Sequence, residues 1–567
     1  MKRIFGYLKP YVFRMTIGFI IKVLATIAEL IIPMLLAYVI NEIVPKDNIG
    51  LILTWGGIML LFSFLALMGN IIANRMASKV ARNATEKIRL DLFTKIMYLS
   101  SRQVEGITTP SLISRATSDT YNLHQMFGMM QRLGVRAPIM LIGGIFMSFT
   151  MDVTLTLVMV ALLPIMSIGV YTISKKGIPM YTKVQEANDR FVRLMREVIT
   201  GIRVIKALSK VDFEKEKFNE INIEVVTKDQ KAGLFMNAMN PIMSFLLNLG
   251  LVLIILVGAY RVNNGQLEPA TIVAFMSYVT MVLNSILFLS RLFVMYSKAY
   301  ASGKRIAEVL AYEEEQLVIP SEKKDLDYIV FEDVTFGYEK EETIENISFS
   351  LKKGETLGII GATGSGKSTI INLLMRFYDV DKGNIYIDGK NIKSYPFSTL
   401  RNLFGVVFQN DTIFKDTIYE NISFGRNVSK EDVLEVAKHA QSYSFISERG
   451  LDFPLAIKGA NLSGGQKQRL LITRALANHP SILILDDSSS ALDYKTDASL
   501  RSEITKHYKD TTTIVVAQRI SSIMNSDKII VMDEGKMIGY GTHDQLLKNC
   551  PIYSEISHSQ MGGEMDE

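Results

Sequence analysis

Cysteine is almost absent from this chain: Cys550 stands alone among 567 residues. A single thiol excludes a disulfide framework and any metal centre built on cysteine. Histidine is scarce as well. The six residues, His124, His439, His479, His507, His543 and His558, include no two at metal-ligand spacing along the sequence. Strong charge of one sign is missing: 62 Lys and Arg against 57 Asp and Glu leave +5, too mild to point to nucleic acid. The low hydrophobicity of a disordered chain is missing too. Apolar residues make up 48% and charged residues 21%, and the mean hydropathy is +0.21. Such an average describes an oily part joined to a polar part.

The oily part fills the first three hundred residues. Apolar runs occupy Val12–Val44, Leu51–Ala73, Ala137–Met151, Leu155–Ile173, Ile242–Tyr260 and Ile272–Val294. A bilayer core takes about twenty apolar residues of helix, so these predict about six membrane spans. The third run is short and needs its flanks to reach across. The first is too long for a cleaved signal and has no small-residue cleavage site.

Charge sets the topology. Met1–Arg14 carries Lys2, Arg3, Lys9 and Arg14, Arg75–Arg136 holds ten Lys and Arg, and Lys175–Lys231 holds thirteen. The opposite connections, Asn41–Gly50, Met151–Asp152 and Arg261–Pro269, hold almost none. Basic loops stay on the cytoplasmic side, which predicts cytoplasmic termini and two long cytoplasmic excursions. Arg89–Lys95 and Phe191–Ile205 alternate charge and apolar residues at helical spacing, as membrane helices extended into the cytoplasm would. Turns are expected near Ser101–Pro110 and Ser209–Phe218, either docking on a cytoplasmic domain or closing a solvated hairpin. Ionisable residues deep in the spans are few: Lys22, Glu29 and Arg291. Lys22 and Arg291 are expected to snorkel to the interface. Glu29, close to Pro33, fits a bundle interior or a water-filled path. The 29 methionines suit adaptable greasy packing and say little about cargo.

Composition changes near Ala311–Tyr328, where Glu313–Glu315 and Glu322–Asp325 read as solvated linker. The resulting division is a transmembrane domain over 1–310, a linker over 311–327 and a third region over 328–567. In that last region short apolar runs alternate with helical ones: Tyr328–Phe331, Glu355–Ile360, Ile385–Ile387, Phe404–Phe408, Ile482–Leu485, Thr513–Val516 and Lys528–Met532. This alternation predicts an α/β domain on a largely parallel sheet. The fold class is therefore multidomain, an all-α transmembrane domain of about six long helices followed by an α/β cassette.

Gly361, Ala362, Thr363, Gly364, Ser365, Gly366, Lys367, Ser368 and Thr369 match G-x-x-x-x-G-K-[ST] between an apolar strand and a helical run. In that setting backbone N–H groups wrap phosphates, Lys367 reaches the β- and γ-phosphates and Ser368 ligates Mg2+. Ile482–Leu485 ends in Asp486, where P-loop proteins place a Mg2+-anchoring carboxylate. Leu462, Ser463, Gly464, Gly465 and Gln466 open a further helical run and form a second anion cradle. Two cradles for one triphosphate are explained if the second serves a nucleotide held by another subunit.

Phosphate loop, Leu-Ser-Gly-Gly-Gln and Asp-terminated strand, in this order after six spans, closely resemble the ATP-binding cassette (ABC) exporters over nearly the whole chain. The resemblance implies ATP and Mg2+ as cofactors and two nucleotides between head-to-tail cassettes. It implies that Tyr338 stacks on adenine and that Gln409 links Mg2+ and the attacking water to the membrane helices. Ser490, Ala491, Leu492 and Asp493 match the loop that crosses to the other subunit, and the two turns become coupling helices.

Two departures from the family stand out. Its usual Glu after the strand Asp is Asp487, whose oxygens sit about 1.5 Å back, one C–C bond length. Its switch His is Gln518, which can hydrogen-bond a phosphate but takes up no proton. Pro454–Asn461 also lacks acidic residues that relatives often carry before the signature. Binding parts intact and hydrolytic parts altered resemble the degenerate-site subunit of a heterodimeric bacterial multidrug-type exporter. The implied partners are a second half-transporter, the lipid bilayer and a lipophilic drug, lipid or peptide, in the cytoplasmic membrane. The absence of a peptidase domain before Val12 weighs against a processing peptide exporter. A slow homodimer and an ATP-gated channel or regulatory subunit are the alternatives. A soluble cassette acting on nucleic acid would leave the six apolar runs without a use.

Overall fold

The computed structural model describes residues 1–312, 323–338, 341–488 and 492–561. Most of the expected linker, 313–322, and Ser490 and Ala491 of the crossing loop lie outside them. The chain forms two compact units, one of Met1–Met97 with Thr108–Tyr312, the other of Tyr98–Ile107 with Glu313–Glu567.

Among the described residues of the first unit, six helical segments are long and apolar enough to cross a membrane: Lys2–Lys46, Ile49–Met97, Thr109–Met151, Val153–Thr200, Val211–Asn263 and Pro269–Ala311. Each contains one apolar run, and the second and fourth continue well beyond it, as the amphipathic flanks Arg89–Lys95 and Phe191–Ile205 predicted. The far ends pair as the charge pattern requires. Asp152 caps the fourth segment by accepting from the Leu155 N–H at 2.8 Å and pairs with Arg261 of the fifth at 3.0 Å. The Asn41 amide oxygen accepts from the Ala270 N–H at 3.2 Å, tying the first segment to the sixth. In the interior, Tyr278 donates to the Leu30 carbonyl at 2.7 Å. The second turn is slightly earlier than expected: the fourth segment stops at Gly201, and Val211 already begins the next long helix.

Lys22 corrects the snorkelling expectation. It is 3% exposed and its Nζ donates to the Asn70 and Asn74 side-chain oxygens at 2.6 and 3.1 Å. Neighbouring helices supply the polar partners that a single-helix reading cannot anticipate.

The second unit contains two sheets where one was expected. Strands β1 (Ile329–Phe336), β2 (Ile344–Leu351), β4 (Lys382–Ile387) and β5 (Lys390–Asn391) form an antiparallel sheet in the order β2-β1-β4-β5. The runs at Tyr328–Phe331 and Ile385–Ile387 therefore belong to this sheet and not to the parallel one. The other sheet has the order β10-β9-β3-β8-β7-β6, with β3 (Thr356–Gly361), β6 (Phe404–Val407), β7 (Ile482–Asp486), β8 (Thr512–Val516), β9 (Lys528–Asp533) and β10 (Lys536–Gly541). All its pairs are parallel except β9 with β10. Ile482 and Ile484 of β7 enter one apolar core while Leu483 and Leu485 enter the other. Burial on both faces is why these strands read as unbroken apolar runs.

Helix Gly464–Leu476 lies close to β6. A Cβ added to Gly405 would fall 2.2 Å from the Ala475 carbonyl oxygen and 2.7 Å from Pro480 Cγ. Gly405→Ala should therefore cost about 1–3 kcal/mol through overpacking. Scanning fluorimetry of the full-length protein should show the cassette transition lowered by about 2–4 °C for each kcal/mol.

Candidate functional site

The carboxyl ends of β3, β6, β7 and β8 meet at one edge of the parallel sheet, where open α/β sheets place their ligands. β3 ends in a tight turn that leads into helix Lys367–Leu374. Gly364 and Gly366 hold φ of +87° and +97°, and a Cβ on Gly366 would lie 2.5 Å from Ile344 Cγ2. Glycine alone fits there, and such a turn lines its N–H groups into an anion-binding concavity. The Lys367 ammonium donates to the Gly361 and Ala362 carbonyls at 2.9 and 2.6 Å. Burial lowers its pKa below the ordinary lysine value, with Asp486 and Asp487 opposing the shift. A triphosphate in the turn offers this half-buried cation stronger acceptors than its own loop.

Asp486 is the buried end of β7 and accepts from the Ser368 hydroxyl at 3.2 Å. Burial, with Asp487 adding repulsion, raises its carboxyl above the usual range, while Ser368 and Lys367 pull the other way. A hydroxyl and a carboxylate facing each other are hard oxygen donors of the kind Mg2+ takes beside substrate phosphates, so these residues fit that ion.

Asp487 adopts a left-handed backbone with φ of +50° and its N–H donates to the Val516 carbonyl at 3.0 Å. One carboxylate oxygen accepts from the Gln409 amide at 3.4 Å and from the Gln518 amide at 3.2 Å. The two residues that depart from the family pattern thus touch each other. Tyr338 packs edge-on against Phe336 and Tyr378, each with ring centroids 5.0 Å away. Its hydroxyl is 3.3 Å from the Thr369 hydroxyl and accepts from Asn372 at 3.2 Å.

A cavity of about 310 Å³ gathers Tyr338, Thr363, Gly364, Gly366, Lys367, Ser368, Thr369, Gln409, Asp486, Asp487 and Gln518. Gly361, Ala362 and the buried Ser365 complete the turn behind it. Leu462, Ser463, Gly464, Gly465 and Gln466 do not line this cavity. Ser463 caps helix Gly464–Leu476 in a reciprocal pair with Gln466, at 3.2 Å and 3.0 Å, and Leu462 is buried beneath. Asp493 caps helix Tyr494–His507 by accepting from the Thr496 N–H and hydroxyl. Those bonds hold its carboxyl below the usual range.

Tyr378 donates to Glu105 at 2.6 Å, so the first cytoplasmic turn, Ser101–Ile107, packs with the cassette as one of the expected alternatives had it. One feature escaped the sequence. His439 and His507, far apart along the chain, stack with ring centroids 4.1 Å apart, and Glu503 pairs with His507 at 3.3 Å. No linear spacing signals that cluster.

Residues 15–286 match the ABC transporter transmembrane region family and residues 344–490 the ABC transporter family. The chain is 34% identical to the uncharacterized ABC transporter ATP-binding protein YfiB of Bacillus subtilis, over 100% of both chains. It is 30% identical to an ATP-dependent lipid A-core flippase of Idiomarina loihiensis, over 99% of this chain and 98% of that protein. A bacterial Atm1-family ABC exporter solved with ATP bound shares the fold, with a TM-score of 0.82 at 24% identity, covering 97% of this chain and 98% of the other.

The raised Asp486 carboxyl gives a pH prediction. Mg2+ requires its charged form, so the Mg2+-dependent part of ATP affinity should be full well above the raised pKa and should fall as pH drops through it. Titration of a fluorescent ATP analogue with Mg2+ or with chelator should show this increment shrinking at acid pH, and Asp486→Asn should abolish it. Lys367→Ala should weaken binding with or without the metal, by about tenfold or more, as loss of a charge-assisted contact of ~1.5–3 kcal/mol implies.

Proposed function

This chain belongs to the ABC transporter family, and on that premise we infer that it is the ATP-gripping, weakly hydrolysing subunit of a two-chain exporter. It is a multi-pass membrane protein with an ATPase cassette coupled to transport, and ATP with Mg2+ is its cofactor. We assign the cell membrane as its location and the cytoplasm to both termini, from the distribution of Lys and Arg. The domains are taken as 1–310, 311–327 and 328–567.

The observation that carries the reading is the contact of Asp487 with Gln518 at the cavity edge. Phosphoryl transfer depends on positioning and electrostatics. A general base must come within about 2.6–3.2 Å of the proton it takes, directly or through one water. With Asp in place of Glu, the carboxylate is held back by one bond and is engaged by two amides. With Gln in place of His, the side chain donates a hydrogen bond without a titratable proton. Both changes weaken the chemical step and leave the phosphate turn untouched. The turn, Lys367, Ser368 and Asp486 therefore hold ATP and Mg2+, Tyr338 flanks the base, and Gln409 reports occupancy toward the membrane half.

The second cradle, Leu462–Gln466, is intact and lies outside this chain's own cavity. We assign it to ATP bound by the partner, with Asp493 beside the same interface. The helix opening at Gly464 offers N–H groups and the positive end of a helix dipole to that phosphate. The exported compound is read as lipophilic. The flippase relative favours a lipid among drug, lipid and peptide.

Purified alone, the chain should bind ATP and turn it over slowly, and co-purified with its partner it should turn over faster. Gly464→Asp should stop the two-chain assembly by placing a carboxylate against the partner's nucleotide. Asp487→Glu combined with Gln518→His should raise turnover at this chain's own site by up to about 100-fold, the scale of a 1 Å placement error. Brisk hydrolysis by the lone chain supports the slow-homodimer alternative no better and overturns the asymmetric reading.

A further inference from the structure

We propose that the membrane half binds the acidic headgroup, phosphate or carboxylate, of an amphiphile in a cavity between its first three segments. This deepens the export reading, on which it rests, by naming the chemical class of the cargo.

The cavity, about 630 Å³, brings together Lys22, Glu29, Asn70, Asn74, Arg132 and Arg136. Three cations face one carboxylate there. Glu29 is already engaged: one oxygen accepts from Arg136 at 3.0 and 3.2 Å, the other from the Asn70 amide at 2.8 Å. Lys22 is 3% exposed, and its hydrogen bonds go to the uncharged Asn70 and Asn74 side chains. Arg132 donates to the Gly128 carbonyl at 3.1 Å. Among the described residues, neither Lys22 nor Arg132 forms an ion pair with a carboxylate. Three cations sharing one carboxylate leave positive charge uncompensated, which is costly, and inside a membrane such a surplus marks a ligand or ion path. An anion entering the cavity supplies the missing charge.

Depth fits a headgroup. Arg132 and Arg136 immediately precede the third apolar run, and Asn74 immediately follows the second. Lys22 lies about 15 Å along the helix from Val12, on the basic side of the midpoint of the first run. The cluster thus sits toward the membrane face that carries the basic stretches. Ile32, Leu67 and Leu133 line the same cavity and offer apolar contact to the chain attached to the headgroup. Cationic lipophiles meet the opposite field and are disfavoured.

The test uses the full-length protein in nanodiscs without nucleotide. Binding is measured for fluorescent phosphatidylglycerol against phosphatidylcholine with the same acyl chains, and for dodecyl phosphate against dodecyl maltoside. We expect at least one acidic probe to be preferred by about tenfold, or about 1.4 kcal/mol. Preference for phosphatidylglycerol identifies a bilayer lipid as the source, and preference for dodecyl phosphate alone identifies an amphiphile arriving from water. Lys22→Gln keeps a donor for Asn70 and Asn74 but removes the charge, and should erase most of the preference. Glu29→Gln keeps an acceptor for Asn70 but frees Arg136, and should increase it. Misfolding cannot move two variants in opposite directions. Equal binding of acidic and neutral probes, or both variants shifting the preference the same way, overturns the proposal. Because binding is read without nucleotide, that failure leaves the export reading to stand or fall on ATP turnover.

Discussion

Everything at the nucleotide edge depends on one strand that is buried on both faces, ends in Asp486 and is followed at once by a second carboxylate, Asp487. β7 lies between β6 and β8, and its side chains enter both apolar cores of the cassette. Its end is therefore fixed by packing before any ligand arrives. Asp486 meets Ser368 from the phosphate turn. The left-handed backbone at Asp487 then turns the second carboxylate away, toward the residues following β6 and β8. Two adjacent acids thus receive separate environments. One is desolvated and faces a hydroxyl; the other is held by two amides.

The membrane half solves a different problem with the same economy. In lipid, polar side chains need partners from neighbouring helices. Asp152 with Arg261 meets that need at the far ends of two segments, and Glu29 with Arg136 meets it inside. The exception is the surplus of positive charge around Lys22, whose partners are neutral. With Asp152 and Glu29 each paired to an arginine, that surplus is left without a structural purpose, which is why it is read as a cargo feature.

Local motifs were legible and non-local pairings were not. The turn Gly361–Lys367 and the acid at Asp486 declare themselves because their chemistry depends on residues adjacent in the chain. Six spans follow from apolar length alone, a strong signal. The two sheets were merged in the sequence reading because an apolar run at Tyr328–Phe331 or Ile385–Ile387 does not say which strand it pairs with. β2 and β10 were missed altogether: the pairing of β1 with β2 shifts register twice, which breaks the alternation of β2, and β10 is half exposed. Lys22 was misplaced because snorkelling is a property of one helix in lipid, whereas its burial comes from Asn70 and Asn74 on another. The contact between Asp487 and Gln518 is the most informative of the non-local pairings. Each residue departs from the family pattern on its own, and nothing in the chain between them signals that they meet.

On the proposed reading, that meeting bears on how a weakly hydrolysing subunit serves transport. A ligand shifts a conformational equilibrium only through its difference in affinity between the two states. ATP held between closed cassettes stabilises closure for as long as it stays intact, by RT ln(1 + [L]/Kd) relative to an empty site. On the proposed two-chain arrangement, slow cleavage at Asp487 keeps that bias through many cycles of the partner's site. The partner's hydrolysis then needs only to loosen one of two contacts, so the cassettes reopen partway and reclose without searching from full separation. Restoring a Glu and a His would hydrolyse this standing bias away. On the proposed reading, the shortened carboxylate and the amide that engages it act together as a device for keeping ATP intact.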